Sequence, residues 1–193
     1  MMMKQIVGIV AVILAIVAYV PYFRDIIKGK TKPHIYTWFV WGVVTSIIFA
    51  LQVRGGGDWG VYVTLSAAVL SFVVFALGLR NGNKDIKKID TAFLLIALIA
   101  LGLWLFAQQP VVSVVLLVTI DMLGFAPTIR KSWNRPFDET LFTWSLNGFR
   151  HGLSILALGH YNILTLLYPL AWTVANILFS TLLIVRRKVL PPA

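Results

Sequence analysis

Seven stretches of mostly apolar residues run through the chain with only short connections between them, at approximately 5–22, 34–53, 59–79, 92–108, 111–128, 140–158 and 162–185. A helix needs about 20 such residues to cross a hydrocarbon core of about 30 Å. With 193 residues in all, seven spans leave room for loops but not for a soluble domain. Composition agrees. Only 12% of residues are charged and 59% are hydrophobic, against about 25% charged in a soluble domain, and the mean hydropathy is +0.86. The sequence therefore predicts an all-α integral membrane protein. It holds no cysteine, which excludes disulfide frameworks and Cys-based zinc or redox centres.

The net charge of +10 invites a nucleic-acid reading, but the distribution of the basic residues points elsewhere. Arg24, Lys28, Lys30 and Lys32 follow the first span; Arg80, Lys84, Lys87 and Lys88 follow the third. Arg130, Lys131 and Arg135 follow the fifth, and Arg186, Arg187 and Lys188 the seventh. In a seven-span chain those fourteen of the 17 share one side, Lys4 and Arg54 lie on the other, and Arg150 is inside the sixth span. Short loops rich in Lys and Arg stay cytoplasmic. The expected location is the inner (plasma) membrane, amino terminus outside and carboxyl terminus in the cytoplasm. Charges dealt in threes and fours to alternate loops make no single nucleic-acid face. The expected partners are the lipid bilayer, whose anionic headgroups suit such loops, and a small-molecule substrate. A homo-oligomer is compatible with the sequence.

An internal repeat organises the spans. Without a gap, Pro21 corresponds to Pro127, Arg24 to Arg130, Thr37 to Thr143, Trp38 to Trp144 and Gly42 to Gly148. The copies read PYFRDIIKGKTKPHIYTW and PTIRKSWNRPFDETLFTW: a span ends at a proline, a basic loop follows, and an aromatic-rich helix begins. The first segment begins like a signal peptide, but no small-x-small cleavage site precedes Pro21, and its internal counterpart cannot be one. Both copies start outside and end inside, so they are parallel, and the fourth span supplies the extra crossing that parallel copies of three spans require. The expected architecture is two parallel three-helix bundles joined by a linker helix (3+1+3), about a twofold axis along the membrane normal. Residues 1–90 form the first repeat, 91–109 the linker and 110–193 the second repeat.

This duplicated pattern of a proline, a basic loop and a Thr-Trp pair around a linker helix resembles the PQ-loop and SWEET (MtN3-saliva) superfamily of seven-helix transporters, as a divergent bacterial member. The motif resemblance covers 19–45 and 125–151, the topology nearly the whole chain. Tyr22 and Thr128 stand where the name-giving glutamine would be, and the second and sixth spans lack the interior prolines of sugar-transporting members. The resemblance implies transport of a small polar solute (sugar, nucleoside or amino-acid class) by alternating access. It implies hinges at Pro21 and Pro127, and substrate contact by an asparagine of the last helix beside a tryptophan, here Asn176 and Trp172.

The residues themselves add candidates. Charge at membrane depth costs about 2.5–3.5 kcal/mol on insertion scales, so Asp121 in span 5 and Arg150 in span 6 each need a reason. Their depths differ by ~7 Å at 1.5 Å per residue, within an arginine's reach. Two readings stand: a structural ion pair, or proton coupling and substrate contact by Asp121 with Arg150 releasing it. Asn147, Arg150 and His151, spaced i, i+3, i+4, share one helix face, extended by Trp144. The repeat aligns Trp38, Trp41 and Thr45 with Trp144, Asn147 and His151. Trp38 and Trp144 also suit an interfacial belt, His151 simple packing, and Asn176 an interhelical hydrogen bond. Pro169 is expected to kink span 7 and free a backbone carbonyl.

No cofactor, metal spacing, phosphate loop or Ser/His/Asp set is visible, so enzyme activity is not expected. Span 7 has no lysine for a retinal Schiff base. The expected substrate-binding set is Asn176, Trp172, Asn147, Arg150, His151, Trp41 and Trp144. The alternative is a non-transporting membrane receptor or assembly partner with a small-ligand pocket.

Overall fold

The computed structural model describes residues 2–29, 33, 35–81, 88–134 and 136–190. Lys30, Lys32, Lys84, Lys87 and Arg135 of the basic loops lie outside the described residues, as do the side chains of Thr37, Pro127, Thr128, Arg130 and Lys131.

The described residues are helical, and each apolar stretch forms a helix. They are α1 (Met2–Ile27), α2 (Ile35–Arg54), α3 (Val61–Asn81), α4 (Lys88–Leu105), α5 (Pro110–Asn134), α6 (Leu141–Leu156) and α7 (Ile163–Val189). Single 3-10 turns occupy Asp58–Gly60 and Pro136–Asp138. Three helical segments are long and apolar enough to cross a membrane: Met2–Ile27, Asp58–Arg80 and Ile163–Val189. The apolar helices Trp38–Arg54, Leu94–Leu105 and Pro110–Phe125 are shorter, and α6 is interrupted by its own polar residues. The apolar side chains are turned outward in number. Ile6, Ile9, Ile13 and Ile16 of α1 and Val174, Ile177 and Leu178 of α7 are exposed, apolar surface of the kind that suits a lipid or protein contact.

Small residues let one helix approach its neighbours closely. α1 buries Gly8, Ala11, Ala15 and Ala18 and packs against α3 and α6. In each half the third helix packs on both of the others: α3 on α1 and α2, α7 on α5 and α6. The repeat is visible at side-chain level. A Cβ at Gly42 would lie 2.8 Å from the Phe72 ring of α3, and one at Gly148 3.1 Å from Asn176 Cβ of α7. Both glycines therefore serve the approach of the second helix to the third. Tyr19 meets Trp38 edge-on at 6.2 Å, and their counterparts Phe125 and Trp144 meet at 4.9 Å. α4 packs on α5 and α2, completing a core of Val44, Ile48, Ala97, Ala100, Val114 and Leu117.

The two proline boundaries differ from expectation. α1 continues through Pro21 to Ile27, and α5 continues through position 127 to Asn134. A proline inside a helix removes one donor without stopping the chain, and the residues that follow, YFRDII and TIRKSW, contain no second breaker. α1 ends instead at Gly29, whose φ of +69° suits a glycine C-cap. α5 runs to Asn134, two positions ahead of Pro136.

The connections sort to two ends. At one end Lys4 Nζ donates to the carbonyls of Leu158 (2.7 Å) and Gly159 (3.4 Å), just past the end of α6. Arg54 Nη2 donates to Gln108 Oε1 there, and Asn162 Nδ2 to the carbonyl of Gly55 at 2.7 Å. The Gly55-Gly56-Gly57 turn, with φ +77° at Gly56, is clasped to the α6–α7 connection by Gly159 N to Gly57 O and His160 N to Gly56 O, both 3.2 Å. The start of α1 and the α2–α3, α4–α5 and α6–α7 connections therefore gather together. At the other end Arg186 Nε donates to Trp133 O and Arg187 to the carbonyls of Pro136 and Glu139, joining the end of α7 to the α5–α6 connection.

Candidate functional site

Trp172 is the centre of the buried polar region. It lies on the α7 stripe formed by Thr165, Tyr168, Asn176, Phe179 and Leu183, a spacing that turns one helix face inward. Asn162 fixes the start of α7 through a capping box with Thr165, which sets the register of that face. The indole Nε1 donates to Asp121 Oδ2 of α5 at 2.8 Å. The same ring stacks on His151 of α6 at 6.3 Å and 19°, and meets Trp41 of α2 edge-on at 6.5 Å. Its backbone carbonyl accepts from Asn176 Nδ2 at 2.7 Å. Four helices thus converge on one side chain.

Arg150 is held by its own helix. Its Nε donates to Asn147 Oδ1 at 2.7 Å, one turn back on α6. Of the two readings of Asp121 and Arg150, a direct ion pair is not seen here: among the described residues the Arg150 guanidinium and the Asp121 carboxylate do not meet within 4.0 Å. The reason lies in the packing. α7 contacts both α5 and α6, and Trp172 takes the carboxylate that the depth argument assigned to arginine.

Asp121, Arg150, His151 and Asn176 are each no more than 3% exposed. Each carries an unmet polar atom: Asp121 Oδ1, Arg150 Nη1, His151 Nδ1 and Asn176 Oδ1 are buried and find no hydrogen-bond partner among the described residues. The Asn176 orientation is fixed chemically, because a carbonyl can only accept, so its NH2 must face Trp172 O and its oxygen must face away. An unsatisfied buried polar atom costs about 1–3 kcal/mol, and native chains carry few. Asp121 and His151 touch the Trp172 indole, Asn176 touches its backbone carbonyl and Arg150 adjoins His151 on α6; four such atoms so placed suit polar groups from outside the chain.

The remaining expected residues divide. Trp41 belongs to the cluster. Trp144 lies one layer away: its Nε1 donates to Glu139 Oε2 at 3.0 Å, and its ring packs on Phe125 at 4.9 Å and Phe179 at 4.7 Å. Phe125, 5.5 Å from the Trp172 ring, separates it from the polar atoms. Pro169 does free a carbonyl, that of Thr165, but Gln52 Nε2 of α2 takes it at 3.1 Å, so it lines no cavity. Residues that motif and spacing do not single out complete the walls. Tyr168 lies edge-on to His151 at 5.7 Å and to Trp172 at 6.5 Å, and Tyr19 is in electrostatic range of both Asp121 and Arg150. Their signals were available: Tyr168 precedes Trp172 by one turn, and Tyr19 is the repeat counterpart of Phe125. Among the described residues no three His, Asp or Glu side chains gather as a metal site.

No protein family, curated protein or solved structure matches this chain. The reading of the site therefore rests on its own chemistry.

Proposed function

We propose that the chain is a plasma-membrane transporter of a small polar solute, with α1 to α7 as seven spans in a 3+1+3 arrangement. The observation that carries this reading is the group of buried polar side chains with unmet atoms at and beside Trp172, where α2, α5, α6 and α7 meet. Polar groups at membrane depth face a bundle interior or a cavity, and by default mark a solute path. The matched packing of α3 and α7 within their halves supports two equivalent bundles, and the shared end of alternate connections supports strict up-and-down threading. Lys4 and Arg54 belong to that end, and Arg24, Arg80, Arg186, Arg187 and Lys188 to the helix termini of the opposite one. The positive-inside rule makes the second end cytoplasmic. α1 and α5, each running through a proline, are the elements that flex as one bundle rocks against the other.

In this reading the clasp between the Gly55-Gly56-Gly57 turn and the α6–α7 connection closes the outer end. The same clasp is what a rigid receptor with a small-ligand pocket would show, so flux separates the two. Purified protein in proteoliposomes should take up its solute saturably, and Asn176→Ala or Arg150→Ala should abolish uptake. Tight ligand binding without flux in either direction would leave the receptor.

A further inference from the structure

The unsatisfied atoms specify more than polarity. Besides Gln52 Oε1 and Ser132 Oγ, the buried atoms without a partner among the described residues are a carboxylate oxygen (Asp121 Oδ1), an amide oxygen (Asn176 Oδ1), an imidazole nitrogen (His151 Nδ1) and one guanidinium nitrogen (Arg150 Nη1); these four concern the site. Two only accept, one only donates, and the imidazole does either. The acceptors adjoin Trp172: Asp121 accepts from its indole N–H, His151 lies near-parallel to its ring at 6.3 Å, and Asn176 donates to its backbone carbonyl. The donor stands on α6 next to His151. The two formal charges, separated by more than 4.0 Å, are opposite in sign.

We infer that the solute is a small zwitterion, with an ammonium toward Asp121 Oδ1 and Asn176 Oδ1 and an anionic group on Arg150 Nη1. The inference rests on the Trp172 cluster being the solute site. An ammonium brings three N–H donors to a place short of donors, beside indole faces that attract a cation. A carboxylate or phosphoryl group answers the guanidinium with charge-assisted bonds. A sugar supplies hydroxyls but leaves both buried charges without a counter-ion. A lone amine or a lone acid compensates one charge and is repelled by the other. A molecule carrying both compensates both, bridging two charged groups that do not pair with each other.

The test compares solutes on purified protein by thermal shift and on proteoliposomes by uptake. Glycine, leucine and γ-aminobutyrate serve as zwitterions, ethanolamine as the amine alone, acetate as the acid alone, and glucose and uridine as uncharged solutes. Zwitterions should stabilise the protein and enter saturably, and the single-charge and uncharged probes should bind at least about tenfold more weakly. The near-isosteric variants Asp121→Asn and Arg150→Gln, checked for monodispersity, should shift preference in opposite directions: the first toward acetate relative to ethanolamine, the second toward ethanolamine relative to acetate. Saturable flux of glucose or uridine with no response to any zwitterion overturns the inference and leaves transport standing. Zwitterion binding without flux overturns transport and leaves the inference. A uniform loss of all ligands in both variants, or no binding of any zwitterion, also overturns it.

Discussion

Gln52 Nε2 of α2 donates to the carbonyl of Thr165 on α7 at 3.1 Å, and Pro169 is the reason that carbonyl is free. In an uninterrupted helix the N–H of residue 169 would occupy it; proline has none. A defect within one half is thereby repaired by a side chain of the other. Gln52→Leu and Pro169→Ala should consequently be coupled by about 1 kcal/mol. Loss of the glutamine removes a partner when Pro169 is present, and costs less in the Pro169→Ala background, where the backbone supplies its own N–H. Thermal unfolding of the four proteins in one detergent measures the cycle, and strict additivity would exclude the relationship.

The hydrogen bond from Trp172 to Asp121 makes a second prediction. Trp172→Phe keeps an aromatic ring against Trp41, His151 and Phe125 but removes the N–H, leaving both carboxylate oxygens unpartnered. The expected loss is about 1–3 kcal/mol in wild type. Most of it should be absent in the Asp121→Leu background, because no carboxylate then remains to be orphaned. An equal loss in both backgrounds would assign the effect to ring packing alone.

Much of this is legible in the chain itself. Long apolar runs become helices because in lipid the backbone must satisfy itself within the segment, so seven runs imply seven helices. The offset that matches Gly42 to Gly148 also predicts their common packing role. What spacing along a helix cannot supply is its rotation about its neighbours. Asp121 and Arg150 have compatible depths, yet α7 packs against both of their helices and Trp172 reaches the carboxylate first. Proline marks a weakened backbone bond but does not say whether the chain stops there, so α1 and α5 outrun the expected ends. Lys4 reads in the sequence as an outside charge; its role at the end of α6 depends on α1 lying against that helix.

That rearranged pairing is itself measurable. Arg150 shares a 2.7 Å bond with Asn147 and none with Asp121. The coupling between Asn147→Ala and Arg150→Gln should reach about 1.5–3 kcal/mol, the range for a hydrogen bond to a charged group. It should exceed the coupling between Asp121→Asn and Arg150→Gln in the same unfolding assay. The reverse order would restore the direct ion pair.

The clasp between the α2–α3 turn and the α6–α7 connection gives the last prediction. A Cβ at Gly159 would lie 2.7 Å from the backbone oxygen of Gly56 and 2.7 Å from Asp58 Cβ, and one at Gly60 2.5 Å from the backbone oxygen of Ser154. Gly159→Ala therefore cannot be absorbed by turning one side chain; it must push the α2–α3 turn away from the α6–α7 connection and weaken the bonds at Gly57 and His160. Lys4→Met removes the cation on Leu158 and Gly159 by a different route, without steric conflict. If the clasp is the outer gate, both changes should shift the population toward an outward-open state, with the transport reading requiring that the site beneath become accessible. Because the chain has no cysteine, Ser154→Cys, a near-isosteric change at a residue 2% exposed, reports on this without background. A membrane-impermeant maleimide added outside intact cells should label the introduced thiol slowly in the otherwise wild-type chain. Labelling should be several-fold faster with Gly159→Ala or Lys4→Met, and slow again when a bound solute holds the bundle closed. Unchanged labelling in both variants, with the proteins folded and inserted, would make the clasp a structural tie and move the gate elsewhere.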